Sequence, residues 1–216
     1  MNMEFNADLF RIAYLNVSTD ASRYYLCGVL IQPAKRGEAG AYMVASDGSS
    51  MLVIHDESAV NVPENGVTLT LGAKGKPGKL FTSGAKGKNR VEWDGQMARV
   101  DRLLGADETA TPQRETLGAV PLTAIDGAFP DWRRVMPRQN VEQRGEFPQF
   151  DMPVIGRMVA VGEALAALYR QRQLPMAIYH LDAASPALVK WGSDMPVVGV
   201  VMPMRGTYEP NHPSWL

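Results

Sequence analysis

One cysteine stands in 216 residues, so no internal disulfide can form and no cysteine-built zinc site is available. Charge of one sign is not in excess either. The 22 Lys+Arg and 23 Asp+Glu leave a net −1, and nothing in the overall balance drives the chain onto nucleic acid or anionic lipid. Long hydrophobic runs are missing, and the longest of note, 197–204, is far too short to span a bilayer. The opening residues, MNMEFNADLF, lack the basic and apolar regions of a secretion signal. These absences exclude secreted, membrane and collagen-like classes, and the expectation is a cytoplasmic protein with no membrane partner. What is present suits a globular fold: 45% apolar and 21% charged residues can build a sizeable core in one large domain or two small ones.

The hydrophobic pattern predicts an α+β fold. Asn6 can cap a helix whose apolar face is Leu9, Phe10, Ile12, Ala13 and Leu15. β-type runs follow at 24–32 and 41–54. The second folds back at Ser46-Asp47-Gly48-Ser49, where Asp-Gly supplies the positive φ of a tight turn. Another short strand is expected at 67–71. Residues 90–93 and 96–100 read as a hairpin about Asp94-Gly95, with a short helix through 97–104 as the competing reading. Residues 105–118 read as a polar linker or loop. The strongest helix has Asp151 at its capping position and Pro153 in its first turn. It runs on through Val154, Met158, Val161, Leu165 and Leu168, and Pro175 forbids its continuation. Short strands are expected at 176–181, 187–190 and 197–202, then an extended tail, GTYEPNHPSWL. Helix followed by three strands thus occurs at both ends of the chain, a candidate repeated unit.

Residues 72–90 contain GAKGK twice and carry Lys74, Lys76, Lys79, Lys86, Lys88 and Arg90 with no acidic residue. Glycine at this density opposes a regular helix, so the stretch reads as a basic loop. It is not a P-loop, because the glycine spacing is one residue too long and Leu80 follows Lys79. His55, His180 and His212 are scattered without metal-ligand spacing. Cys27 reads as a buried core cysteine in an apolar strand, and Asp56 with Glu57 as a solvated turn at a strand end. No catalytic constellation emerges, so neither an enzyme nor a cofactor is expected.

Three passages, in order, carry a resemblance. Arg23-Tyr24-Tyr25-Leu26-Cys27-Gly28 with Val44-Ala45-Ser46-Asp47-Gly48 resembles the middle domain of the bacterial DNA polymerase III β sliding clamp family. The run 126–137, DGAFPDWRRVMP, is similar to the segment that closes that domain, and 200–205, VVMPMR, to the family's C-terminal signature. The resemblance implies a DNA-clamp-like fold of helix-plus-antiparallel-strand units, without chemistry of its own. It also implies partners: a DNA polymerase or other replication protein whose short, glutamine-led peptide inserts its apolar end into a pocket. Carried over residue by residue, that pocket would be lined by Leu26, Gly48, Met51, Pro130, Val135, Val200, Met202, Pro203 and Met204, with Ser46 and Arg134 at the rim. Apolar strand residues and flexible methionines suit such an anchor.

Two departures from the family accompany the match. Ser49-Ser50 stand where the family has His-Arg, which removes a positive charge and an aromatic ring from the pocket side. The chain is also short. Residues 1–137 correspond to a middle-type domain and 138–216 to the second half of a last-type one, and within the latter only 138–149 lie where an intervening half-domain would belong. The expectation is a shortened clamp of the kind a phage or mobile element carries, a homo-oligomer round double-stranded DNA. One elaborated domain with 60–137 inserted is the alternative architecture. The alternative function is a clamp-fold module that binds such peptides without encircling DNA. DNA contact, independent of base sequence, would run through the six basic residues of 74–90 and through Arg157, Arg170 and Arg172.

Overall fold

The computed structural model describes residues 2–72, 75–81, 89–104, 113–137 and 148–205. Twelve strands and two α-helices are built from them. The chain opens with β1 (Met3–Asn6), then α1 (Ala7–Tyr14), β2 (Val29–Pro33), β3 (Ala41–Ser46), β4 (Ser50–Asp56) and β5 (Val67–Thr70). Next come β6 (Asn89–Trp93), β7 (Met97–Leu103), β8 (Arg114–Pro121) and β9 (Thr123–Ala124). The last stretch holds α2 (Met152–Leu168), β10 (Met176–Tyr179), β11 (Ala187–Trp191) and β12 (Val197–Val201).

The strands form two antiparallel sheets, one ordered β1-β6-β7-β8 and one ordered β10-β11-β12-β4-β3-β2-β5-β9. The anticipated unit of a helix followed by three strands is present twice, as α1-β2-β3-β4 and α2-β10-β11-β12. The two units meet through their final strands, Val197 opposite Ile54 and Val200 opposite Met51. One sheet and one core therefore continue across the expected boundary at 137/138. Residues 138–147 there lie outside the described residues.

Both helices lie against the same core. Asn6 caps α1, its Oδ1 accepting the Leu9 amide at 3.1 Å, and the helix is so enclosed that seven of its eight residues are buried. α2 buries Val154, Met158, Val161 and Leu165, the stripe the spacing predicts, whereas Leu168 is only half-buried. Asp151 occupies the capping position without a side-chain hydrogen bond, its backbone carbonyl accepting from Val154 and Ile155 instead.

Side chains of the large sheet alternate between two apolar clusters, as the pleat requires. Val29, Ile31, Met43, Ala45, Leu52, Ile54 and Val201 join the helices in the main core. Leu30, Val44, Met51, Val53 and Val200 point to the opposite face, where they pack with Trp132. Central strands buried on both faces explain why 41–45 and 51–54, on either side of the turn, read as apolar runs.

Several expectations are corrected. Residues 24–32 are not one strand: Ala21–Leu26 is a 3-10 helix capped by Asp20, whose Oδ1 accepts the Ser22 amide at 2.9 Å. Cys27 follows that helix half-buried rather than in the core. Of the two readings of 90–104, the hairpin holds as β6–β7 and the competing helix through 97–104 falls. Part of the expected linker is strand β8, tied to β7 by Thr116 to Asp101 at 2.9 Å and Arg102 to Glu115 at 3.3 Å. Asp56 is 2% exposed, accepting the Asn6 amide at 2.7 Å and the Ser58 hydroxyl, so it closes the core rather than meeting solvent. The tail 206–216 lies outside the described residues.

Candidate functional site

The outer face of the large sheet, away from the helices, carries a groove of about 250 Å³. Its base is Met51 on β4 and Val200 on β12, which sit opposite one another in register. One wall is Leu26, at the end of the first 3-10 helix. Another is the segment 129–135, from which Phe129, Pro130, Asp131, Trp132 and Val135 face the cavity. The last wall is the β3–β4 turn with Ser46, Gly48, Ser49 and Ser50, closed by Met202.

Local chemistry holds these parts in place. Gly48 takes φ +90°, so Asp-Gly does form the tight turn. Asp47 Oδ1 accepts the amides of Ser49 at 3.0 Å and Ser50 at 2.8 Å, while Ser46 Oγ donates to the Ser50 carbonyl at 2.8 Å. The buried Asn16 anchors the turn from beneath, with Ser50 Oγ 3.0 Å from its Oδ1. The Met202 amide donates to the Ser49 carbonyl at 2.9 Å, which joins β12 to the turn.

The opposite wall is a further 3-10 helix, Trp132–Val135, capped by Asp131 through the Arg133 amide at 3.2 Å. Trp132 is buried against the sheet edge-on to Tyr42, and the Arg133 guanidinium lies 4.2 Å from the Trp132 ring centroid. Glu38 accepts the Tyr42 hydroxyl, and this bond raises the phenol above its ordinary pKa.

Of the eleven residues put forward for a pocket, eight line this groove: Leu26, Ser46, Gly48, Met51, Pro130, Val135, Val200 and Met202. Arg134, Pro203 and Met204 are not part of its lining; Arg134 and Met204 are exposed nearby. Ser49, Ser50, Phe129, Asp131 and Trp132 complete the lining; Ser49 and Ser50 had been noted only as a departure on the pocket side, and the other three had not been put forward. A signal for three of them existed, because Phe129, Asp131 and Trp132 lie inside the 126–137 run already matched to the family. Val135 and Met202 are 43% and 39% exposed, large apolar side chains that fold energetics alone would hide.

The basic residues part company. Lys74, Lys86 and Lys88 lie outside the described residues, while Lys76 and Lys79 are exposed. Arg90 is 9% exposed in β6; its guanidinium donates to the Ser58 hydroxyl and, at 2.7 Å, to the Ser58 carbonyl, and it lies 3.9 Å from Glu4. Burial lowers its pKa while Asp56 and Glu4 oppose that shift. Arg90 is thus turned into the fold and cannot meet a phosphate on the surface. Arg157 of α2 forms an ion pair with Asp47. Arg170 and Arg172 are exposed beyond the end of α2. Among the described residues, no group of three or more His, Cys, Asp or Glu could hold a metal ion, and no helix is long and apolar enough to cross a membrane.

Two antiparallel sheets outside two core helices, with a groove on a sheet's outer face, define a DNA-clamp fold. The chain has that fold in common with the sliding clamp (DNA polymerase III subunit beta) of Bartonella birtlesii bound to griselimycin: TM-score 0.63 at 19% identity, covering 95% of this chain and 66% of that one. Caulobacter crescentus pol III beta superposes with a TM-score of 0.58 at 21% identity, over 95% of this chain and 66% of that one. In sequence the chain is similar to the beta sliding clamp of Caulobacter vibrioides (strain NA1000 / CB15N), 32% identical over 129 residues. That match takes in 58% of this chain but 31% of the relative, so the chain spans about a third of the clamp it matches. No family model matches.

Proposed function

We propose that this chain is a shortened sliding clamp, a processivity factor that tethers a DNA polymerase or other replication protein through the groove on the outer face of its large sheet. The observation that carries this reading is the convergence of Leu26, Met51, Val135, Val200 and Met202, from widely separated segments, on one largely apolar cavity. Its volume suits one or two apolar side chains, so the partner's peptide would insert an anchor there and leave its polar lead on the Ser46–Ser50 turn. On this reading residues 1–137 act as a middle-type clamp domain and 138–216 as half of a last-type one, joined through the β4–β12 pair. The protein works in the cytoplasm as a closed homo-oligomer round duplex DNA, catalyses nothing and needs no cofactor. Contact with phosphates falls to Lys74, Lys76, Lys79, Lys86, Lys88, Arg170 and Arg172.

A second reading, a module that binds the peptide without encircling DNA, draws on α2. The exposed side of that helix carries Met152 at 77% and Val159 at 44%, with Glu163, and its Arg157 is engaged by Asp47. Such a face has little to offer a phosphate backbone. The test is fluorescence anisotropy with a labelled pentapeptide led by glutamine and ending Leu-Phe, read beside light scattering of the same sample. Saturable binding that Met202→Lys abolishes, with an unchanged melt, supports the groove. A trimer or higher closed ring supports the clamp, and a monomer at high concentration the module. Absence of saturable binding by the wild type overturns both.

A further inference from the structure

We propose that Arg157 is a positioning residue for the groove, setting the shape of the β3–β4 turn through Asp47; the inference rests on the groove being the peptide site.

Asp47 spends its two carboxylate oxygens differently. Oδ1 accepts the amides of Ser49 at 3.0 Å and Ser50 at 2.8 Å and lies 3.0 Å from Ser50 Oγ, which organises the turn from within. Oδ2 is taken by Nη2 of Arg157, which comes from α2 on the far half of the chain. A carboxylate held only by its own turn can swing with that turn. One gripped on its second oxygen by a guanidinium from a packed helix cannot, because the helix is fixed by Val154, Met158 and Val161 in the core.

The consequence falls on the groove. Ser46, Gly48, Ser49 and Ser50 form one of its walls, and the Ser49 carbonyl receives the amide of Met202, which forms another. Two walls therefore depend on the turn that Asp47 closes. The pair is partly shielded, with side-chain exposures of 30% for Arg157 and 18% for Asp47, so water and salt weaken it less than an open surface pair. Arg157 does not line the cavity itself, and any effect it has on binding must pass through Asp47. An arginine that the sequence assigns to DNA thus serves the peptide side of the molecule.

The experiment is a double-mutant cycle on the full chain, read by anisotropy of the same labelled glutamine-led pentapeptide. Arg157→Gln should weaken binding by about fivefold, Arg157→Lys should restore part of the loss, and Arg157→Gln should add little in an Asp47→Asn background. Hydrogen exchange at the Ser49 and Ser50 amides should accelerate in Arg157→Gln. If that variant does not fold, Arg157→Lys and Asp47→Asn carry the same comparison. Wild-type affinity in Arg157→Gln, or equal losses in the presence and absence of the Asp47 carboxylate, would overturn the positioning role while the groove stands. No binding by the wild type would overturn the groove, and the role with it.

Discussion

Trp132 donates its indole N–H to Oε1 of Gln32 at 3.2 Å, and the Arg133 guanidinium reaches the same oxygen at 2.8 Å. One side-chain oxygen on β2 therefore fixes two consecutive residues of the Trp132–Val135 3-10 helix, the element that walls the groove on one side.

Gln32→Ala should destabilise the fold by about 1–2 kcal/mol, because the buried indole N–H is left without an acceptor. Urea titration reads this as a lower midpoint at unchanged slope. An unmoved midpoint would mean that packing on Tyr42 and Val44, not the hydrogen bond, holds the helix down.

Gly199 stands at the middle of β12 against Trp191. A Cβ there would lie 2.9 Å from Trp191 Cη2, 3.0 Å from Met158 Sδ and 3.2 Å from Val189 Cβ. Gly199→Ala should therefore cost about 1–3 kcal/mol through overpacking. Equilibrium unfolding checks it, and gained stability would show that Met158 can give way freely.

The Cys27 thiol should be sluggish at neutral pH. Burial raises its pKa above the ordinary thiol value, and the nearby Asp20 carboxylate raises it further. Both effects favour the unreactive protonated form, so the rate with Ellman's reagent at pH 8 should fall below that of free cysteine and climb as pH rises. Asp20→Asn should speed the reaction by about twofold, in keeping with the loss of one neighbouring charge. A rate equal to that of free cysteine would count against the effect.

Arg90 and the pair Arg170 and Arg172 should separate fold from DNA contact. Arg90→Gln should destabilise the protein by about 3 kcal/mol, because the buried Asp56 loses its neighbouring cation, whereas Glu4 keeps Arg114 at 3.0 Å. Replacing Arg170 and Arg172 with glutamine should leave the melt unchanged and reduce the salt slope of DNA binding by about 0.9 for each phosphate that is no longer neutralised. A normal melt for Arg90→Gln would return that residue to the surface candidates.

Short-range signals made much of this fold legible. Asn6, Asp47-Gly48 and Asp94-Gly95 mark a cap and two turns through chemistry that acts within four residues, and the structure has all three. Residues 21–26 misled because the aromatic pair Tyr24-Tyr25 reads as strand, while Asp20 and Ser22 start a 3-10 helix locally. β8 was hidden for the opposite reason. Glu115 and Thr116 face Arg102 and Asp101 on β7, and Leu117 and Val120, which pack against the core, stand three apart and give no period-two alternation to detect. Arg90 shares a basic run with five lysines, and only the pairing of β6 with β1 brings it to Glu4. The groove was legible through family likeness, but Phe129 and Trp132 take part only once 126–137 folds across the sheet.

The pairing of β12 with β4 sets an order of events during synthesis. Strand β4 leaves the ribosome early with an unpaired edge, while its neighbour is still to be translated. Val200 and Met202 complete the groove only when that late strand docks, so a half-made chain has no finished surface to offer a partner. A contact this distant in sequence also forms slowly, since the loop between must close before the pairing rewards it. If the groove is the peptide site proposed above, recruitment is timed by translation itself, and interrupted chains are left with an open strand edge for chaperones or proteases to recognise.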